Sequence, residues 1–130
     1  MSVAVRYMSR SGNTKLIADA IAEAAGVNAV SVTDAGAALS EKADVLFIGG
    51  ALYAYGLDKN LKNYLAGIDA SKVSKAVVFS TSSLTKHSID LIKNGLAAKG
   101  IAVENEFFYC KGKNAKNSIE EAKSFAKKFL

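Results

Sequence analysis

The stretch that decides the fold reads VAVRYMSRSGNT and covers residues 3–14. Its first part, residues 3–7, is short, apolar and β-branched, which favours a strand. The part that follows is a polar loop of serine, glycine and asparagine. Residues 13–25 then place apolar side chains at helical spacing, and Gly26 can end that helix. The chain is therefore predicted to begin with a strand, a polar loop and a helix.

The alternation of apolar strand and amphipathic helix continues to the end of the chain. The pattern βαβαβαβαβα predicts five strand–helix units in one domain, 1–130, and so a parallel sheet with helices on both faces. Ligands of such sheets bind beyond the carboxyl ends of the strands, so a site is expected in the loops there. The further strands are predicted at Val30 and Val32, at 45–48, at 76–79 and at 103–109, and the further helices begin near Leu57, Ile89 and Ile119.

Composition indicates a globular protein that needs no disulfide bonds. The 130 residues are 50% hydrophobic and 22% charged, and Cys110 is the only cysteine, which suits a reducing compartment. No apolar run approaches the roughly 20 residues of a membrane span, and residues 1–8 lack the pattern of a signal peptide. We expect a cytoplasmic protein with no membrane span and, with one histidine and one cysteine, no metal site.

Charge is distributed unevenly along the chain. The net charge is +5, but residues 1–50 hold four basic and five acidic side chains, whereas residues 51–130 hold thirteen basic and seven acidic ones. Such a bias can attract nucleic acid, an anionic membrane or an acidic partner protein. The lysines are spread singly along predicted helices without an aromatic-rich basic stripe, so we expect no nucleic-acid binding.

The loop after the first strand has the composition of an anion site. Backbone N–H groups at the start of a helix attract anions. The loop adds three hydroxyls, from Ser9, Ser11 and Thr14, and Gly12 permits close approach of the backbone. The plain alternative is a serine-rich turn that ends in an ordinary helix cap. The patterns GxxxxGK[ST] and GxGxxG are both absent, which argues against ATP, GTP and NAD.

The loops after the third and fourth strands carry flat and polar groups. The first of them reads GGALYAYG, residues 49–56, and offers Tyr53 and Tyr55 as flat surfaces on which an aromatic ring can stack, unless both tyrosines merely cap the sheet. The second reads STSSLT, residues 80–85, and offers hydroxyls and backbone amides. Together they can serve the ring and the polar edge of a cofactor.

The segment YMSRSGNT resembles the phosphate loop of flavodoxins, in which a strand ends in (S/T)-x-(S/T)-G-x-T. The resemblance covers the whole chain and implies an α/β fold, a doubly wound five-stranded parallel sheet of order 2-1-3-4-5. It implies FMN as the cofactor, with a peptide flip at Gly56 that lets the backbone hydrogen-bond N5 of the reduced flavin. The phosphate would be held by Ser9, Arg10, Ser11, Gly12, Asn13 and Thr14, and the rest of the cofactor by Ala51, Leu52, Tyr53, Ala54, Tyr55, Gly56, Thr81, Ser82, Ser83 and Leu84.

The resemblance also implies a function, with two departures. We expect an electron carrier that works between redox partner proteins, as a monomer or weak dimer, with no catalytic side chain. Flavodoxins are typically acidic, so the basic charge here suggests an acidic partner. Many of them place a tyrosine in the loop after the fourth strand; here Leu84 covers that face of the flavin or the face stays open.

Two other functions remain open at this point. A flavodoxin-like FMN-dependent oxidoreductase, of the quinone reductase or protoporphyrinogen oxidase type, would share the phosphate loop, although the short connections leave little room for an organic substrate. A binding module could keep the fold without a cofactor. A phospho-receiver domain is excluded, because Ser9, Arg10 and Gly49 stand where a receiver needs acidic residues.

Overall fold

The computed structural model describes residues 1–53, 56–82 and 86–130. Its main sheet has five strands, all parallel, and the first strand of the chain lies between the second and the third, with the fourth and fifth beyond the third. The order 2-1-3-4-5 is therefore confirmed. The strands are β1 (Val3–Tyr7), β2 (Ala29–Ser31), β3 (Val45–Gly50), β4 (Ala76–Ser80) and β5 (Val103–Tyr109).

Four helices cover the two faces of the sheet: α1 (Asn13–Ala25), α2 (Lys59–Gly67), α3 (His87–Ala98) and α4 (Ile119–Lys127). Successive strand residues point to opposite faces. Val5, Phe47 and Phe79 therefore pack with α1 and α4, whereas Leu46 and Ile48 pack with α2 and α3. Both apolar clusters are buried, so the sheet is doubly wound as predicted.

The second strand–helix unit does not form a helix, so the prediction of five complete units was wrong. The chain passes from β2 to β3 through turns and bends. Residues 33–44 have no apolar stripe at helical spacing, and Asp34 instead accepts a hydrogen bond from Gly36 N–H at 2.9 Å. Such a local turn competes with a helix.

Arg6 explains how this connection is held. It lies in β1 and is only 9% exposed. Its Nε donates to the Ala37 carbonyl at 2.7 Å, and the Tyr64 hydroxyl donates to the same oxygen at 2.6 Å. Burial raises the pKa of Tyr64, and the nearby guanidinium opposes that shift. A buried charge is destabilising unless it is hydrogen-bonded. The guanidinium of Arg6 is hydrogen-bonded to the backbone of the segment between β2 and β3, where a helix had been predicted.

The topology fixes where a ligand crevice lies. The connection from β1 leads to the edge strand β2, whereas the connection from β3 leads the other way, to β4. The strand order therefore reverses between β1 and β3, and the loops at their carboxyl ends flank a switch point. In the described part of the chain, no helix is long and apolar enough to span a membrane.

Candidate functional site

Five loops extend from the carboxyl edge of the sheet. One of them is the connection after β2 described above, and we name the other four by the strand they follow. The β1 loop is residues 8–12, the β3 loop 51–58, the β4 loop 81–86 and the β5 loop 110–118. The β3 loop contains a small antiparallel hairpin that pairs Leu52–Tyr53 with Gly56–Leu57. Part of the β5 loop, Gly112–Asn117, forms 3-10 turns.

The β1 loop turns into α1 at Gly12, which has a left-handed backbone with φ of +94°. Gly12 is the N-cap of α1 and has no side chain to cap the helix. Its N–H donates to Ser9 Oγ at 3.0 Å, and Asn13 N–H points to Ser11 Oγ at a long 3.5 Å. The first intrahelical bond near this end runs from Leu16 N–H to the Gly12 carbonyl. The earlier N–H groups have no acceptor within the helix, as at any helix start.

Thr14 joins the β1 loop to the β4 loop. Its hydroxyl shares a 2.7 Å hydrogen bond with the Thr81 hydroxyl, and both residues are buried. The sequence resemblance assigned both residues to the cofactor. In this structure their hydroxyls face each other, so the structure brings the two predicted sites together across 67 residues of sequence.

Arg10 joins the β1 loop to the start of α2. Its Nε and a terminal nitrogen each lie 2.7 Å from Asp58 Oδ2. Asp58 is 4% exposed and is also the N-cap of α2, because its Oδ1 accepts the Asn60 N–H at 2.7 Å. The cation of the predicted phosphate loop is therefore bound to a carboxylate of the β3 loop.

The Asp58 carboxyl has a pKa below its ordinary value. Burial acts to raise that pKa. The hydrogen bonds from Arg10 and from backbone N–H groups, together with the charge of Arg10, outweigh the effect of burial. The carboxylate is therefore ionised at neutral pH, and its charge is offset within the pair.

The Gly49-Gly50 pair serves packing and ends the third strand, whereas the following loop was predicted to begin at residue 49. Both residues belong to β3 and are buried. A Cβ at Gly49 would overlap the Phe79 ring and carbonyl, and one at Gly50 would lie 2.5 Å from the Leu61 side chain. Close approach of neighbouring strands and of α2 therefore explains both glycines.

A buried serine network ties the β3 and β4 loops together. The Leu52 N–H donates to Ser82 Oγ at 3.0 Å, and Ser82 Oγ lies 2.9 Å from Ser88 Oγ. Ser88 Oγ also shares a hydrogen bond of 2.5 Å with Ser80 Oγ. The Tyr109 hydroxyl donates to the Ser82 carbonyl at 2.8 Å. In this arrangement Ser82 acts on the neighbouring loop through its side chain.

The β5 loop approaches the β1 loop at Gly112. A Cβ at this position would lie 2.9 Å from Asn13 Nδ2 and 3.1 Å from the Thr81 carbonyl. The lysines on either side of it, Lys111 and Lys113, are exposed. All four loops therefore converge on one region of the carboxyl edge.

Three of the residues that build this region were missed at the sequence level. Asp58 lies at the start of the helix predicted near Leu57, and aspartate is a favoured N-cap type, so a capping signal was present. Gly112 follows the fifth strand, where the rule on carboxyl ends applies. Ser88 carries no such signal, because its partners lie in β4 and the β4 loop. Of the predicted residues, Ala54, Tyr55, Ser83 and Leu84 lie outside the described residues, as does the rest of 83–85.

The donor set of the β1 loop fits a phosphate monoester. Ser9 and Ser11 present hydroxyls beside the N–H groups at the start of α1, and the loop holds no acidic side chain. The nearest carboxylate that the structure shows, Asp58, is paired with Arg10. A Cβ built on Gly12 would meet nothing within 4 Å, so there is open space at the turn. The residues present therefore suit an anion held mainly by neutral donors.

A family model for the flavodoxin domain matches residues 4–124. The chain belongs to the flavodoxin family. A comparison with curated proteins found no match.

Solved structures extend the likeness to almost the whole of this flavodoxin-family chain. A flavodoxin from the domain Archaea has a TM-score of 0.73 at 19% identity, with 99% of each chain covered. Flavodoxin 2 from Bacillus cereus has a TM-score of 0.73 at 20% identity, with 99% of this chain and 97% of that chain covered. The Flv1 flavodiiron core from Synechocystis sp. PCC6803 has a TM-score of 0.69 at 18% identity, and this chain spans 36% of its length. At these identities the likeness shows the fold.

Proposed function

We propose that this protein binds FMN and carries electrons between redox partner proteins, in the cytoplasm. The observation that carries the proposal is the β1 loop, whose neutral donors open at the switch point beside the β3 loop. Membership of the flavodoxin family supports the same cofactor. FMN would supply the redox chemistry, and the protein would position it and control access to it.

Each loop has a distinct role in this proposal. Ser9, Ser11, Gly12 and Asn13 hold the phosphate, and Thr14 contributes its backbone N–H while its hydroxyl fixes the β4 loop. The β3 and β4 loops contact the ring and its polar edge. Arg10 holds the loops together through Asp58, and its cation adds only a longer-range attraction for the phosphate.

The first test is reconstitution with FMN. The protein is saturated with FMN, desalted, and followed by visible absorbance during anaerobic stepwise reduction. Retained flavin that is reduced in two spectroscopic stages supports a carrier of single electrons. Rapid reduction by NAD(P)H alone would indicate the oxidoreductase, and protein that retains no flavin would leave a binding module.

Two glycines of α1 provide a matched pair of variants. Gly12 and Gly26 sit at opposite ends of the helix with φ of +94° and +73°, and a Cβ on either meets nothing within 4 Å. Alanine at either position costs about 1 kcal/mol in backbone strain. A backbone shift that relieves the strain at position 12 displaces the groups proposed to bind the phosphate, whereas a shift at position 26 does not. We therefore expect Gly12→Ala to bind FMN about tenfold more weakly than the wild type does. Gly26→Ala should leave FMN affinity unchanged; equal losses in both would contradict the placement of the phosphate.

A further inference from the structure

One loop at the carboxyl edge is acidic: residues 32–44, after β2, hold three acidic residues and one basic residue. The excess positive charge of the chain is concentrated in the other four loops, which follow β1, β3, β4 and β5. These loops hold five basic residues and one acidic residue, Asp58, whereas the rest of the chain holds twelve basic and eleven acidic residues. Four of the five net charges therefore belong to the loops. The basic residues are Arg10, Lys86, Lys111, Lys113 and Lys116.

The four loop lysines differ from those lysines elsewhere whose charge is paired with a carboxylate. On the helices and strand flanks, Lys15, Lys75 and Lys128 form ion pairs of 2.8, 3.3 and 3.5 Å with carboxylates. Within the described part of the chain, no loop lysine forms an ion pair, and all four are exposed. Their charge is available to an approaching molecule.

The lysines lie beside the candidate site. Lys111 and Lys113 flank Gly112, which approaches Asn13 and the Thr81 carbonyl. Lys86 Nζ lies 5.6 Å from the centre of the Tyr109 ring, and the Tyr109 hydroxyl binds the β4 loop. The next acidic residues along the chain from the β5 loop belong to the first turn of α4, where Glu120 contacts Lys123.

We propose that this lysine-rich edge is the docking surface for an acidic electron-transfer protein. The inference rests on the proposed function and names the partner by its charge. An acidic partner brings its redox centre to the loops that surround the flavin, and the lysines speed its approach at low salt. One electron then passes between the partner's centre and the flavin, so that one is oxidised as the other is reduced.

The test uses the FMN-loaded protein and a reduced plant-type [2Fe–2S] ferredoxin, which is acidic. Stopped-flow absorbance measures the second-order rate at low and high salt as the cluster is oxidised by one electron and the flavin gains it. The variant Lys111→Gln/Lys113→Gln/Lys116→Gln removes three edge charges. The control Lys42→Gln/Lys99→Gln/Lys127→Gln removes three exposed charges away from those loops.

We expect the edge variant to react about tenfold more slowly at low salt and the control less than about threefold more slowly. Both differences should vanish at high salt. With cytochrome c, a basic acceptor, the edge variant should react no more slowly than the wild type. Equal slowing of the two variants, or a rate that ignores salt, would overturn the docking surface.

Two parallel measurements separate this inference from the proposed function. The FMN dissociation constant of each variant shows whether cofactor binding survived the substitution. Ferredoxin binding to the FMN-free protein, measured by calorimetry, tests the surface even if FMN does not bind. Tight binding to duplex DNA that depends on the same lysines, without binding to ferredoxin, would also contradict the proposal.

Discussion

The two edges of the sheet use polar residues in different ways. At the edge where strands begin, polar groups form hydrogen bonds within the fold. Asp44 accepts the Ser2 N–H, Lys99 donates to the Ala66 carbonyl, and Asp69 caps a short 3-10 turn. At the edge where strands end, hydroxyls, helix N–H groups and lysines surround one region. The first edge shows how polar groups stabilise the fold, and the second edge carries the donors and lysines on which the proposed anion site and docking surface rest.

The largest expected effect compares Gly49, at the edge where strands end, with Gly67, at the edge where strands begin. A Cβ at Gly49 would overlap Phe79, whereas one at Gly67, the last residue of α2, would meet nothing within 4 Å. Gly49→Ala should lower the free energy of unfolding by more than about 3 kcal/mol. Gly67→Ala should raise it by about 0.5 kcal/mol. Urea denaturation measures both, and a tolerated Gly49→Ala would contradict the packing at this edge.

A second pair of variants compares two aspartate caps. Asp58 is buried at the site edge and binds Arg10, whereas Asp69 caps exposed residues at the other edge. Asp58→Ala removes a helix cap and the partner of Arg10, so we expect a loss of about 2 kcal/mol. Asp69→Ala should cause a much smaller loss. The Asp58 variant should also weaken FMN binding, because the β1 loop loses its tether.

Asn at position 58 separates the cap from the ion pair. Asparagine is as good an N-cap as aspartate, so Asp58→Asn keeps the bond to Asn60 N–H and loses the charge. We expect it to recover about half of the stability that Asp58→Ala loses. If Asp58→Asn and Asp58→Ala weaken FMN binding equally, the ion pair is what positions the loop.

Local pattern was enough to predict most elements of the fold. The strand Val103–Tyr109 and the helix Asn13–Ala25 lie where apolar periodicity placed them. The absence of a helix between β2 and β3 was not predicted. The alternation of strand and helix was assumed to continue through residues 33–44, although these residues have no apolar stripe at helical spacing. What holds that segment, the bond of Arg6 to the Ala37 carbonyl, spans 31 residues and leaves no local signal.

The location of the candidate site could be predicted from the sequence, but most of the contacts within it could not. The loops and their hydroxyls follow from strand ends, and the structure brings them together. Sequence alone could not show that Thr14 faces Thr81, or that Ser82 accepts the Leu52 N–H, since those partners lie 67 and 30 residues away. The hydroxyls of Thr14, Thr81 and Ser82, which the resemblance assigns to the cofactor, form hydrogen bonds between neighbouring loops in this structure.

The serine network gives a third comparison, of smaller size. Ser82 is buried and joins two loops of the site, whereas the Ser31 hydroxyl binds Thr33 in an exposed position. Ser82→Ala should cost about 1 kcal/mol, because the Leu52 N–H loses its acceptor. Ser31→Ala should change stability by less than about 0.5 kcal/mol. Riboflavin, which lacks the phosphate, should lose as much affinity for Ser82→Ala as FMN does; a loss confined to FMN would mean that Ser82 acts on the phosphate.

The smallest expected effect concerns acid pH. The pKa of Asp58 is lower in the folded protein than its ordinary value of 3.8, despite burial, because Arg10 and backbone N–H groups stabilise the charged form. A lowered pKa contributes stability above the ordinary value, and that contribution is lost as pH falls toward the folded value. The stability advantage of the wild type over Asp58→Asn should therefore be constant from about pH 7 to pH 5 and shrink below about pH 4. Urea denaturation across this range measures it, and an advantage that persists at acid pH would show that the ion pair with Arg10 is not its source.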